Sequence, residues 1–346
     1  MSVFESMAQY GYGDVHFVRD EASGLRAIIA IHDTRRGPAL GGCRCVEYVN
    51  DEAALYDVLR LARGMTYKAA LAGLPHGGGK SVILAPGKEL DRDKLFASFG
   101  RFVDGLAGRY IAAEDSGTSC EDMERVRKQT KHVVGLDVKH GGSGDPSPFT
   151  ALGVRRGIEA CVELALGKSN LSGVHVAVQG VGNVGYNLCK ELHRAGARLT
   201  VSDVRDELAE RASKEFDAKV VPAAETHRVE CDVYAPCALG GAINDRTAPQ
   251  LRCKIVAGAA NNQLAGDENG LMLHERGILY APDYAINAGG LVNVAAEVAG
   301  YDAEKSRART MKVYDTIHEI CERSKKSNVP PHRVADAMVE EILGRS

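Results

Sequence analysis

The sequence predicts an α/β chain of two domains, and three observations predict it. Residues 174–203 read as strand, glycine-rich turn, helix and strand, in that order. Short apolar runs bounded by glycine or polar turns alternate with helix-patterned segments along both halves of the chain. Between the halves, residues 140–148 read His-Gly-Gly-Ser-Gly-Asp-Pro-Ser-Pro, the richest loop in the sequence and a natural hinge. At 346 residues the chain has room for two cores.

Composition narrows the class. The formal net charge is −3 with 26% charged residues and no long basic run, which argues against a nucleic-acid partner. Trp is absent and aromatics make up 5%, so the core must be mainly aliphatic. Nine cysteines without C-x-x-C spacing, and no basic n-region before an apolar core at the N-terminus, read as reduced thiols in a cytoplasm. No apolar run approaches the ~18 residues that span a bilayer, and no metal-ligand cluster is visible.

In the first half, residues 25–32 (Leu-Arg-Ala-Ile-Ile-Ala-Ile-His) are a strand candidate and residues 33–38 a polar turn. Residues 39–44 place Gly41 and Gly42 where a backbone can approach a ligand. Residues 51–65 predict a helix capped by Asp51, with Ala54, Leu55, Val58, Leu59 and Ala62 on one stripe. Residues 65–81 then bring Lys68 and, inside a triple-glycine turn, Lys80. A phosphate-binding loop needs Gly, four residues, then Gly-Lys-Ser/Thr; here the first position is Leu74, and an apolar run rather than a helix follows. That reading is rejected.

Two lysines remain. Ammoniums sharing one pocket repel each other, which would make one of them a useful base; equally, both fit ordinary surface lysines on a flexible loop. Residues 91–106 predict a helix (Leu95, Phe96, Phe99, Phe102, Val103), and residues 109–115 a strand ending at Asp115. Asp115 is either a reactive acid or, like Ser119, a cap for a helix over 120–128. Residues 150–166 are helical.

The stretch 174–203 is the most informative. Its valine-rich first strand runs into Gly180-Val-Gly182-Asn-Val-Gly185, the G-x-G-x-x-G spacing. Gly180 permits the turn, Gly182 lets a pyrophosphate reach the backbone, and Gly185 lets the helix pack on its strand. The helix N-terminus would face the phosphates. Asp203 ends the second strand, 18 residues after Gly185, where an acid binds ribose hydroxyls. This is a Rossmann-type dinucleotide fingerprint. Asp203 would repel a 2′-phosphate, favouring NAD over NADP, although Arg205 lies close by. Beyond it, apolar runs at 219–221, 233–235, 255–257 and 278–281 continue the rhythm and end in turns carrying Asn261, Asn262 and Asn287. Asparagines there would hold an amide or a carboxylate, or simply make turns. Residues 291–297, 306–323 and 330–343 read as helices.

At this point the chain resembles the glutamate/leucine/phenylalanine/valine dehydrogenase superfamily, most closely its leucine dehydrogenase branch. The resemblance rests on motifs at 37–42, 63–68, 77–83, 113–115, 141–148, 180–185, 235–241, 258–262 and 280–290. It implies an N-terminal α/β substrate domain (1–140), a Rossmann-type NAD domain (141–329), a cleft between them, and a terminal helix (330–346) returning to the first domain. It also implies reversible oxidative deamination of an L-amino acid to a 2-oxo acid and ammonia, with NAD accepting hydride.

By the same resemblance Lys68 would bind the substrate carboxylate, Lys80 would act on the water that attacks the imine, and Asp115 would carry protons to and from the amino group. Gly41, Gly42 and Asn262 would border the substrate. Leu40, Met65, Ala113, Val134, Leu291 and Val294 would line a side-chain pocket suited to Leu, Val or Ile. Thr150, Gly180, Gly182, Asn183, Val184, Gly185, Asp203, Ala238, Asn262 and Asn287 would hold NAD. Val134 stands where leucine-preferring relatives often have Thr, and Asp145 where they often have Asn. Relatives form homo-oligomers, octamers or dimers. The rival readings are a phenylalanine or tryptophan dehydrogenase on the same scaffold and a non-catalytic NAD-binding regulator. A substrate panel separates the first, and retention of Lys68, Lys80 and Asp115 argues against the second.

Overall fold

A computed structural model describes residues 3–85 and 91–345. The chain divides into two units: Met1–Asp145 with Asn293–Ala303, and Pro146–Val292 with Glu304–Ser346.

The first unit comprises α1 (Val3–Tyr10), β1 (Asp14–Asp20), β2 (Leu25–Asp33), β3 (Ala39–Val46), α2 (Asp51–Leu71), β4 (Gly77–Leu84), α3 (Arg92–Asp104), β5 (Tyr110–Glu114) and α4 (Cys120–Arg127). Its sheet runs β1-β2-β4-β3-β5. β2 is antiparallel to both neighbours, and β4, β3 and β5 are mutually parallel. Successive residues of β2 serve opposite faces, as the period of two requires. Ile29 packs with Phe96 and Phe99 of α3, whereas Ile28 packs with Leu55, Val58 and Leu59 of α2.

Three local expectations are corrected. Asn50, not Asp51, caps α2, its side chain accepting from Ala53 N. The helix also runs on to Leu71, because Thr66, Tyr67, Ala69, Ala70 and Leu71 are buried. The triple-glycine turn is in fact the start of β4. The glycines are there because α2 and neighbouring chain lie almost on the strand. A Cβ at Gly77 would fall 1.8 Å from Asp33 O, and one at Gly78 2.0 Å from Thr66 N. Gly41 and Gly42 sit in β3.

The second unit is built from α5 (Ser147–Leu166), β6 (His175–Gln179), α6 (Asn183–Arg194), β7 (Arg198–Ser202), α7 (Asp206–Phe216), β8 (Lys219–Val220), β9 (Val233–Pro236), β10 (Ile255–Val256), α8 (Asp267–Glu275), β11 (Leu279–Tyr280), α9 (Asp283–Ile286), α10 (Gly289–Ala295, crossing the division), α11 (Ala303–Met311, whose first residue lies in the first unit), α12 (Val313–Ser327) and α13 (Pro331–Leu343). Its six strands are all parallel, ordered β11-β10-β9-β6-β7-β8. The chain moves outward from β6 in one direction and then from β9 in the other, so the order reverses between β6 and β9, the switch point of a doubly wound sheet.

The expectation that the terminal helix returns to the first domain is corrected. α13 belongs to the second unit. It buries Val334, Ala335, Met338 and Val339, His332 pairs with Asp267 at 2.8 Å, and Tyr284 donates to Asp336. The segment that does join the first unit is Asn293–Ala303, which sequence reading assigned to the NAD domain. Among the described residues, no helix is long and apolar enough to cross a membrane.

Candidate active site

The first unit builds a buried ionic cluster. β4 carries Lys80, only 4% exposed. Asp115 follows the end of β5, and β3 lies between the two strands. Lys80 Nζ and Asp115 Oδ2 form an ion pair. Gly42 makes this possible, since a Cβ there would lie 2.8 Å from Asp115 Cβ and 2.9 Å from Oδ2. Gly41 serves packing, because a Cβ would overlap Gly79 O at 1.7 Å. Its carbonyl also accepts the buried Tyr110 hydroxyl at 2.7 Å.

Asp115 is not a helix cap. Ser119 takes that role, in a capping box with Asp122. The Asp115 carboxylate is instead held from three sides: Lys80, Arg44 Nε at 3.3 Å, and the Ser116 N–H at 2.6 Å. Burial alone would raise its pKa, but Lys80, Arg44 and the Ser116 amide outweigh it and hold the carboxyl well below the usual carboxylate range. Sequence reading missed Arg44. Its Nη1 is 2.8 Å from Asp57 Oδ2, which also accepts the Tyr48 hydroxyl at 2.6 Å. Arg44 is thus fixed by α2 while it grips Asp115. The signal was present as a lone cation between Cys43 and Cys45 in an apolar strand.

Most other candidates from the first half fall in this unit. Lys68 is half-buried on α2, three residues after Met65 and so on the same side of the helix. Leu40 is buried opposite Gly78 of β4 and Ile111 of β5. Ala113 pairs with Gly42, and the Val134 N–H donates to Ala112 O at 2.8 Å, extending the sheet past β5. Val294 comes from the returning segment, while Leu291 and Asn262 belong to the second unit.

In the second unit the glycine turn is shaped for a ligand. Gly180 has φ +91°, and a Cβ would strike Ala238 at 2.7 Å. Gly185 allows α6 to sit on the turn, where a Cβ would be 2.0 Å from Gly180 O. Gly182 is different: a Cβ there meets nothing within 4 Å, so packing does not demand glycine. The open space there leaves room for a ligand to come close to the backbone. Asn183 and Val184 open α6, whose free N–H groups favour phosphate. Asp203 braces the turn, accepting from Val181 N at 2.9 Å and Arg205 N at 3.0 Å. A carboxylate has acceptor capacity beyond two bonds.

Thr150 donates to Pro146 O and lies against Gly290, where a Cβ would be 2.5 Å from its hydroxyl. Asn287 is 4% exposed; its Nδ2 donates to Ala259 O and Asn261 Oδ1, but among the described residues its buried Oδ1 has no hydrogen-bond partner. Such an acceptor is costly to leave unpaired, and a ligand amide or a water would complete it. Asn262 holds φ +51° and gives its carbonyl to Gly241 N at 2.7 Å. These residues fit a nicotinamide dinucleotide.

A parallel sheet with a glycine cradle beside its switch point, in a chain that also buries a lysine–aspartate pair, defines a nicotinamide-dependent oxidoreductase. Residues 14–132 match the Glu/Leu/Phe/Val dehydrogenase dimerisation domain, and residues 141–211 and 201–342 match the Glutamate/Leucine/Phenylalanine/Valine dehydrogenase domain. The chain belongs to this family and is an amino-acid dehydrogenase.

It is 51% identical to the leucine dehydrogenase of Geobacillus stearothermophilus over 343 residues, 99% of this chain and 94% of that one. It is 46% identical to the L-tryptophan dehydrogenase of Nostoc punctiforme over 347 residues, covering 100% and 97%. The crystal structure of L-tryptophan dehydrogenase from Nostoc punctiforme superposes with a TM-score of 0.87 at 45% identity, covering 99% of this chain and 98% of that one.

Proposed function

We propose that this chain catalyses the NAD-dependent, reversible oxidative deamination of branched-chain aliphatic L-amino acids, L-leucine, L-valine and L-isoleucine. The observation that carries the chemistry is the buried Lys80–Asp115 pair, gripped by Arg44. Bound NAD supplies the acceptor for the hydride leaving Cα. The Asp115 carboxylate takes a proton from the substrate ammonium as the imine forms. Once its own ammonium proton has passed to solvent, Lys80 takes a proton from the water that adds to the imine carbon; Asp115 returns one to the nitrogen, and the carbinol hydroxyl proton leaves as the C–N bond breaks. The balance is amino acid, NAD⁺ and water to 2-oxo acid, ammonium, NADH and a proton. Lys68 anchors the substrate carboxylate, and Asp203 selects NAD by its charge. The substrate domain is the first unit and the NAD domain the second; the working enzyme is a homo-oligomer.

The branched-chain assignment is supported by the wall residues, since Leu40, Met65, Ala113, Val134, Leu291 and Val294 offer only aliphatic or thioether surface. The named leucine dehydrogenase at 51% identity points the same way. The 46% identity to a tryptophan dehydrogenase supports an aromatic substrate as the second reading. A kcat/KM panel over L-Leu, L-Val, L-Ile, L-Phe and L-Trp separates them. The aliphatic three are expected to lead by at least about tenfold; a lead for Phe or Trp would overturn the assignment while leaving the mechanism.

A further inference from the structure

Two of the assigned wall residues, Val134 and Val294, come from chain segments 160 positions apart, and the first unit ties those segments together by one side chain. Glu297 Oε2 accepts from Gly135 N at 3.0 Å and Leu136 N at 3.4 Å, and its Oε1 accepts from Ser143 N at 2.8 Å. The same loop is held a second time. Asn293, fully buried, donates to Ser143 O at 3.4 Å, and Tyr301 donates to Asn293 Oδ1 at 2.8 Å.

The grip falls beside the walls. Gly135 N is the amide directly after Val134, and Asn293 directly precedes Val294. Gly135 sits at φ +78°, a left-handed conformation available cheaply only to glycine. Val134 itself is buried, and its N–H donates to Ala112 O at the sheet edge.

We propose that Glu297, seconded by Asn293 and Tyr301, is a specificity-positioning residue: it fixes the spacing of Val134 and Val294 and so sets which side-chain length the pocket accepts. This rests on the pocket assignment above. Glu297 touches backbone amides and acts through the walls. Hydrogen bonds to a carboxylate are stronger than neutral ones, so the three hold the loop's amides in place, and a closely packed pocket feels a change of one methylene.

The test compares wild type with Glu297→Gln, Glu297→Ala and Tyr301→Phe. Each is assayed with the wild type's own best amino acid and with the homologue one methylene shorter. Glu297→Ala is expected to raise KM for the best substrate about tenfold and cut the discrimination ratio about tenfold. Its kcat should stay within about threefold and its KM for NAD unchanged. Glu297→Gln, which keeps one acceptor oxygen, should fall between, and Tyr301→Phe should shift the ratio in the same direction by less. If Glu297→Ala does not fold, Glu297→Gln and Tyr301→Phe carry the test. Folded variants with a wild-type ratio would overturn the proposal, as would a uniform loss of kcat for both substrates. Because the ratio uses whichever substrate wild type prefers, an aromatic preference would refute the branched-chain reading without deciding this one.

Discussion

Lys80→Ala is expected to lower kcat by about 10²–10⁴-fold while the dissociation constant for NAD stays within about twofold. The lysine is buried on β4, and its ammonium pairs with Asp115 of the same unit. Removing it deletes the group that handles the water proton and also leaves Asp115 buried with Arg44 as its remaining ionic partner. Breaking a buried pair costs up to about 3–5 kcal/mol, so thermal melting must accompany the kinetics.

Lys80→Arg separates the two effects. Arginine preserves the charge pairing but cannot give up its proton. A variant that melts near wild type yet stays as slow as the alanine form assigns the loss to proton transfer; near-normal turnover in either variant would remove Lys80 from the mechanism. The pH dependence follows from the Asp115 carboxylate being held low. Its folded pKa lies below the unfolded value of ~3.9. The stability it contributes is therefore present above that value and is lost only as pH falls through the folded one. In Lys80→Ala burial persists and the main attraction is gone, so acid inactivation should move to higher pH.

The second large effect is a contrast within the glycine turn. Gly185→Ala should destabilise the second unit by about 1–3 kcal/mol or more, because its Cβ has only 2.0 Å to Gly180 O, a backbone atom that cannot swing away. Gly182→Ala should leave melting within about 1 kcal/mol of wild type, because its Cβ meets nothing. Gly182→Ala should nonetheless raise the dissociation constant for NAD about tenfold or more, since a methyl group there would fill the open space proposed for the pyrophosphate. Calorimetric melting and NAD titration of both variants check this. A Gly182→Ala protein with wild-type NAD affinity would mean the open space is not the phosphate site.

Much of the second unit was legible because its physics is local. The fingerprint strand, turn and helix each carry their own periodicity, and Gly180, Gly182 and Gly185 act within six residues. The first unit was harder. Gly77, Gly78 and Gly79 read as a turn because glycine usually makes turns; here they form a strand whose missing side chains admit α2 and Tyr110, a contact no local pattern reveals. Lys80 therefore looked like a loop lysine and proved to be buried. Arg44 gains meaning only beside Asp115 and Asp57, residues 71 and 13 positions away. The terminal helix misled for the opposite reason: its apolar face showed that it packs, but not on which unit.

The most direct measurement is product stoichiometry with NAD and L-leucine at alkaline pH. NADH by absorbance, 2-oxo acid and ammonium by separate assays should appear in equal amounts, with no NADH when the amino acid is omitted. Folded protein that binds NAD but forms no NADH from L-leucine, L-valine, L-isoleucine, L-phenylalanine, L-tryptophan or L-glutamate would contradict the assignment of Lys80 and Asp115 as a working amino-acid deamination centre.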